Sequence, residues 1–129
     1  MLKNSFFRIQ HISESTDTNE NNPHITSYRI AVYLDPGHPI YGGHFPGNPV
    51  VPGVCQLRMV TEIVSEITGG ERKLLEGDNI KFLSMINPME HPDLMVTCTV
   101  KEGTPGILNV TASISDDDTI FFKCKSILA

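Results

Sequence analysis

The sequence predicts an α+β fold in which an antiparallel β-sheet wraps around one long central helix. Two observations lead to this prediction. Segments with strand patterns lie at both ends of the chain, and one apolar segment with helical spacing, residues 53–68, lies between them. Strands before and after a single buried helix are typical of a sheet packed over that helix. The chain has 129 residues, which is the length of one domain, and we take residues 1–129 as that domain.

Two strands are predicted before the helix. Residues 1–12 form the first, and its apolar members are Phe6, Phe7, Ile9 and Ile12. Residues 14–23 are polar and end in proline, so they are expected to form a loop. Residues 25–34 form the second strand, because apolar side chains recur there with a period of two at Tyr28, Ile30, Val32 and Leu34.

Glycine and proline crowd the next segment, residues 35–53, which reads DPGHPIYGGHFPGNPVVPG. Neither a helix nor a central strand tolerates this composition, so a long loop is expected. Loops of this length in compact domains tend to be functional. Because proline fixes φ, the loop is expected to be rigid and already shaped.

The helix is predicted over residues 53–68, and Gly69 and Gly70 end it. Apolar residues surround most of its circumference, so we expect it to be buried. Its polar residues follow i, i+4 and i+3 steps and form one narrow stripe, which consists of Arg58, Glu62 and Ser65. Four strands are then expected, at residues 73–85, 93–101, 107–115 and 119–128, with a tight turn between the last two.

Composition excludes several classes of function. The net charge is −5 and the chain has no long run of lysine or arginine, so nucleic acid is not an expected partner. No segment approaches the roughly 20 apolar residues that cross a bilayer, and no signal peptide is recognisable. Three widely spaced cysteines, Cys55, Cys98 and Cys124, are typical of reduced thiols in a cytoplasmic protein. The histidines lack metal-like spacing, so we expect no metal and no cofactor.

The Gly/Pro-rich loop contains a dense motif. Residues 43–54 read GHFPGNPVVPGV and fit the pattern GHFPxxPVxPGV, with matches at Gly43, His44, Phe45, Pro46, Pro49, Val50, Pro52, Gly53 and Val54. This motif resembles the active-site signature of bacterial 3-hydroxyacyl-[acyl-carrier-protein] dehydratases of the FabA/FabZ type, which have the hotdog fold. The order of strands, loop and helix is similar to that family over nearly the whole chain after about residue 26.

The resemblance implies a homodimer, or an oligomer of dimers, that acts on an acyl thioester bound to acyl carrier protein or coenzyme A. Dehydration needs a base for the C2 proton, and histidine, with an ordinary pKa near ~6.5, accepts a proton at neutral pH. We therefore expect His44 to be the base and the N–H of Gly53 to bind the thioester carbonyl. Phe45, Val54 and Tyr41 are expected to line an acyl tunnel, with Tyr41 and Phe45 at its rim.

The sequence departs from the family at one catalytic position. The family has a glutamate or aspartate fourteen residues beyond the histidine, and Arg58 stands there. An arginine, with a pKa above ~12, cannot release a proton to a departing hydroxyl, but it can bind an oxygen of the substrate. Glu62, one helical turn further on, is expected to act as the substitute acid.

Two alternatives stay open, along with a simpler interpretation of the charged pair. The chain could be an acyl thioesterase of the same fold, with Glu62 orienting the attacking water. It could also be a non-catalytic subunit that binds acyl carrier protein and pairs with an active homologue. Arg58 and Glu62 could also form an ordinary ion pair within the helix.

Overall fold

The computed structural model describes residues 2–16, 25–43, 47 and 49–129. In chain order the elements are β1 (Phe7–Thr16), β2 (Ile25–Leu34), α1 (Ile40–Gly43), α2 (Gly53–Ile67), β3 (Leu74–Phe82), β4 (Asp93–Glu102), β5 (Leu108–Asp116) and β6 (Thr119–Leu128). The six strands form one antiparallel sheet in the order β1-β2-β4-β5-β6-β3. The predicted architecture of an antiparallel sheet with one long helix is therefore confirmed.

The centre of the sheet follows from the alternation of apolar side chains in its strands. In one cross-strand row, Ile30 lies opposite Val96, Val96 opposite Ile114, and Ile114 opposite Phe122. All four side chains are fully buried. Direct cross-strand pairs of this kind contribute roughly 0.2–1 kcal/mol each, so the row fixes the register of four neighbouring strands.

Helix α2 buries one face against the core and leaves the other face uncovered. Met59, Val60, Ile63 and Val64 are at most 1 % exposed and belong to the same apolar cluster as the sheet. On the opposite side, Val54 is 75 % exposed and the Arg58 side chain is 60 % exposed. The prediction of a helix buried nearly all round was therefore wrong for this chain on its own. A single sheet covers only one side of a helix, and the second side needs another layer.

The N-terminal part of the chain also differs from the prediction. Strand β1 begins at Phe7 and runs to Thr16, whereas the sequence suggested residues 1–12. Residues 2–6 form a turn, in which the N–H groups of Ser5 and Phe6 donate to the Leu2 carbonyl at 3.1 and 2.8 Å. Asn4 has φ +69° there, a left-handed conformation that asparagine tolerates better than most residues.

One helical turn, α1, lies inside the Gly/Pro-rich loop, where the composition suggested none. It follows Pro39, whose fixed φ suits the start of a helix. His38 supplies an acceptor at this end, because its Nδ1 accepts a hydrogen bond from the Ile40 N–H at 3.1 Å. One turn is too short to produce a periodic apolar pattern, so it could not be predicted from the sequence.

Strand β3 is an edge strand whose nine residues are all exposed. Its exposed apolar side chains are Leu74, Leu75, Ile80 and Phe82. The opposite edge, β1, exposes Ile12 as its one large apolar side chain in the described residues. An edge with several exposed apolar groups is typical of a surface that another chain covers.

Candidate active site

The uncovered face of α2 forms one wall of a groove of about 940 Å³. The turn at residues 2–6 contributes Lys3 to it, and the segment after the helix contributes residues 69–74. Three residues predicted for the site meet there, namely Val54, Arg58 and Glu62. The polar stripe predicted on the helix therefore faces an open groove in the single chain.

Gly53 begins α2 directly after the Gly/Pro-rich loop. Pro52 stands at the N-cap position, and its carbonyl accepts from the N–H groups of Cys55 and Gln56 at 3.0 and 3.1 Å. The N–H groups of Gly53 and Val54 lie in the first turn, where a helix has no acceptor of its own and its dipole favours negative charge. This end of the helix suits an oxygen atom that gains negative charge.

The ring of Phe82 packs directly against Gly53. A Cβ atom built on Gly53 would come within 2.8 Å of Phe82 Cζ. Phe82 also contacts the Phe122 ring, with centroids 5.2 Å apart, and is 56 % exposed. Phe82 was not predicted as a site residue, because its position in the sequence pattern does not differ from that of other apolar residues in a strand.

Glu62 is held by the backbone of the N-terminal turn. Its Oε1 accepts from the N–H groups of Leu2 and Lys3 at 2.8 and 3.2 Å, and its Oε2 lies 3.0 Å from the Leu2 nitrogen. The side chain is only 8 % exposed. Both carboxylate oxygens therefore already accept hydrogen bonds within the chain.

Arg58 touches Glu62 through one nitrogen. Its Nε lies 3.6 Å from Glu62 Oε2, one helical turn away, so the intrahelical ion pair is present. A guanidinium group carries five N–H donors, and four of them are on the two terminal nitrogens. In the described part of the chain no hydrogen bond engages those four, so they are available to an oxygen in the groove.

Tyr41 lies in the core of the single chain. It is 7 % exposed, and its ring centroid lies 5.7 Å from that of Phe6. Burial raises the pKa of the Tyr41 hydroxyl well above its ordinary value, with smaller contributions from Cys55 and Asp35. The turn at residues 2–6 brings Phe6 over this ring, which the sequence pattern does not reveal. The substrate-binding role of Tyr41 stays a prediction.

His44 and Phe45, the other two residues predicted for the site, lie outside the described residues. Backbone hydrogen bonds hold described residues that come before and after them in the sequence. Tyr41 and Gly42 donate backbone hydrogen bonds to His38 and Pro39, and the Val51 N–H donates to the Ile86 carbonyl at 2.9 Å. Tyr41, Gly42 and Val51 are thus joined by backbone hydrogen bonds to other described residues.

The three cysteines are free and buried. Burial raises the pKa of Cys55, and it raises the pKa of Cys98 to about 12 and of Cys124 to about 11. Thiols of this kind are unreactive at neutral pH. The three cysteines are therefore packing residues of the core.

A family model for ApeI-like proteins, described as ApeI dehydratase, matches residues 17–121 of the sequence. The chain belongs to this family. A FabZ 3-hydroxyacyl-[acyl-carrier-protein] dehydratase from Mannheimia succiniciproducens is 31 % identical over 99 residues, which cover 70 % of this chain. The match spans 65 % of that relative's length, which is less than two thirds. The predicted family of hotdog dehydratases is confirmed.

Solved structures show the same fold at low sequence identity. The ApeI:P dehydratase heterocomplex of Xenorhabdus doucetiae has a TM-score of 0.61 and 20 % identity, over 94 % of this chain and 96 % of the solved one. A thioesterase variant from Pseudomonas aeruginosa, PA1618, has a TM-score of 0.54 and 12 % identity, over 97 % and 81 %. The hotdog fold predicted from the motif is therefore confirmed. No helix in the described residues is long and apolar enough to cross a membrane.

Proposed function

We propose that the chain removes water from a 3-hydroxyacyl thioester and gives the 2-enoyl thioester. The observation that carries this proposal is the position of Gly53, which belongs to the family's motif and begins α2, where free N–H groups favour a negatively charged oxygen. FabZ relatives are named for substrates on acyl carrier protein, so we propose a carrier-bound substrate, with coenzyme A thioesters as the alternative.

The proposed reaction starts at C2 of the substrate. His44 takes the C2 proton, and the thioester carbonyl gains negative charge as that bond breaks. The N–H of Gly53 donates to the carbonyl oxygen and lowers the energy of this step. Expulsion of the C3 hydroxyl then forms the double bond, and this hydroxyl needs a proton to leave as water.

Arg58 is the group that we propose for the departing hydroxyl. Arg58 has free N–H donors and would bind the hydroxyl oxygen without giving up a proton. His44 could return the proton that it took from C2, which balances the reaction without a carboxylic acid. The role of Glu62 as the acid stays a prediction, and its bonds to Leu2 and Lys3 count against it.

We propose that the working unit is a homodimer or an oligomer of dimers. The uncovered face of α2 and the exposed apolar residues of β3 are two surfaces that a second copy would cover. In the family, each site takes its histidine and its acid from different subunits. His44 would then face Arg58 and Glu62 of the partner subunit. The three free cysteines support a reducing compartment such as the cytoplasm.

A second candidate function is that of a non-catalytic subunit paired with a homologue that has the acid. The favouring observation is Arg58 itself, which lies in the groove where the family has its carboxylate. The X. doucetiae relative, which was solved as a dehydratase heterocomplex, makes such pairing a reasonable alternative. Under this hypothesis the chain alone binds the carrier protein and turns nothing over.

Three variants test the main proposal through formation of the conjugated enoyl thioester. His44→Ala should lower the rate by about 10²–10⁴-fold, because it removes the base. Arg58→Glu restores the family's acid and should raise the rate, whereas Arg58→Gln should not. Activity that survives His44→Ala would contradict the proposed base. A chain that is inactive alone and active when mixed with an acid-bearing homologue would favour the second candidate.

A further inference from the structure

The turn at residues 2–6 connects helix α2 with the Gly/Pro-rich loop of the same chain. Residues 2–7, which we call the N-terminal brace, contact α2 at one end and the Gly/Pro-rich loop at the other. At the first end, two consecutive backbone N–H groups, those of Leu2 and Lys3, donate to the buried carboxylate of Glu62. Hydrogen bonds to a charged acceptor are stronger than neutral ones, so this end is firmly held.

The second end of the brace is Phe6. Its ring is fully buried and lies against two residues of the loop, with centroids 5.7 Å from Tyr41 and 5.4 Å from His38. Its carbonyl accepts from the Asp35 N–H at 3.0 Å, at the point where β2 passes into the loop. Tyr41 belongs to α1, which directly precedes the motif with the proposed base.

We propose that Glu62 is a positioning residue, which acts through the N-terminal brace to hold α1 in place relative to α2. The inference rests on the proposed dehydratase function for its effect on turnover. The contacts run from the Glu62 carboxylate to Leu2, through one turn to Phe6, and from Phe6 to Tyr41. Glu62 therefore fixes the position of α1 relative to α2 within one chain.

A neighbouring ion pair provides the control for this inference. Lys3 Nζ binds Glu66 Oε2 at 2.5 Å, one turn beyond Glu62, and the Glu66 side chain is 48 % exposed. This pair also joins the brace to α2, but through two flexible side chains in water. Exposed pairs contribute little, so loss of Glu66 should leave the brace in place.

Kinetics separate a positioning role from proton transfer. Glu62→Gln keeps an amide oxygen that can take the place of Oε1, which accepts from both Leu2 and Lys3, but it cannot donate a carboxylic acid proton. It should keep kcat within about threefold of wild type with an unchanged pH profile, whereas Glu62→Ala should lower kcat at least about tenfold. Phe6→Leu, at the other end of the brace, should also lower kcat. In the double variant of Phe6→Leu and Glu62→Ala, the fold-loss of kcat should be clearly smaller than the product of the two single losses.

The opposite kinetic pattern would overturn the proposal. If Glu62→Gln is as inactive as Glu62→Ala and loses one limb of the pH profile, Glu62 transfers a proton. If Phe6→Leu keeps full activity, the brace does not connect α2 with the Gly/Pro-rich loop. The same conclusion follows if the fold-loss of kcat in the double variant equals the product of the two single losses. Glu66→Gln is the control and should match wild type.

Hydrogen exchange tests the brace without any turnover. In Glu62→Ala the amides of residues 2–7 should exchange at least about tenfold faster, and so should those of residues 38–43. Glu66→Gln should change neither region. Faster exchange in residues 2–7 alone would refute the coupling, even in an active enzyme. If Glu62→Ala shows faster exchange in both regions but the wild-type chain has no dehydratase activity, the result supports the brace and refutes the proposed function.

Discussion

Gly53 lies in the first turn of α2 with the tip of the Phe82 ring against it, so Gly53→Ala places a methyl group where there is no room. The new Cβ would lie 2.8 Å from Phe82 Cζ and 2.9 Å from Cε1. Carbon atoms in good contact are about 3.5–4.0 Å apart, so the ring must move by roughly 0.7–1 Å.

The expected cost combines two opposite effects. Overpacking of this kind costs about 1–3 kcal/mol, and the lower end applies because Phe82 is 56 % exposed and can rotate. Alanine gains up to about 1 kcal/mol over glycine in a helix, and less in its first turn. We therefore expect Gly53→Ala to lower the free energy of unfolding by about 1 kcal/mol. In a Phe82→Ala background the clash is gone, and the same change should be neutral or stabilising.

Urea unfolding of the two single variants, the double variant and wild type, at one protein concentration, gives the coupling between the two positions. We expect a coupling energy of roughly 1–2 kcal/mol. Gly70→Ala is the control, since a Cβ there meets no described atom within 4 Å. If Gly53→Ala behaves like Gly70→Ala and is unaffected by Phe82→Ala, Phe82 does not lie over the start of α2.

Three further predictions concern the core, the thiols and the edge strand. Met59→Ala should cost about 2–4 kcal/mol of unfolding free energy because Met59 is 1 % exposed, whereas the same change at Met89, 68 % exposed, should cost well under 1 kcal/mol. Burial raises the pKa of Cys98 from 9.0 to about 12, so it should resist alkylation at pH 8 in the native protein. The protonated Cys98 thiol should contribute fully to the free energy of unfolding below pH 9.0, and this contribution should be lost as the pH rises to about 12. In Cys98→Ala the free energy of unfolding should therefore decrease less over this pH range. Leu75→Glu on β3 should convert a dimer to a monomer in light scattering, whereas Ile12→Glu on β1 should not; a dimer that survives Leu75→Glu would place the interface elsewhere.

Alternation and turn chemistry are local properties, and they predicted most of the fold. The bounds of β2, residues 25–34, were predicted correctly, because apolar side chains recur there at every second position and face the core. The end of α2 was predicted from Gly69, because glycine reaches a left-handed backbone conformation without strain. In the structure Gly69 adopts this conformation, with φ +74°. Strand β3 was also expected, but its complete exposure was not, since its sequence has apolar residues like those of a covered strand.

The site was only partly predictable, because some of its contacts involve backbone atoms. The i, i+4 spacing placed Arg58 beside Glu62 correctly. The hydrogen bonds that Glu62 accepts come from the backbone N–H groups of residues about sixty positions away, and a backbone donor leaves no mark in the residue pattern. The contact between the rings of Phe6 and Tyr41 was not predicted either, because the turn at residues 2–6 brings together two residues that are far apart in the sequence.

Mass spectrometry of the carrier-bound substrate tests the proposed reaction most directly. The chain alone would be incubated with a 3-hydroxyacyl-acyl carrier protein, with His44→Ala in parallel. The proposal predicts that the acyl group loses one water in the wild-type reaction and is unchanged with His44→Ala. Release of the free carrier protein would identify a thioesterase, and an unchanged substrate with the wild-type chain would contradict dehydration by this protein on its own.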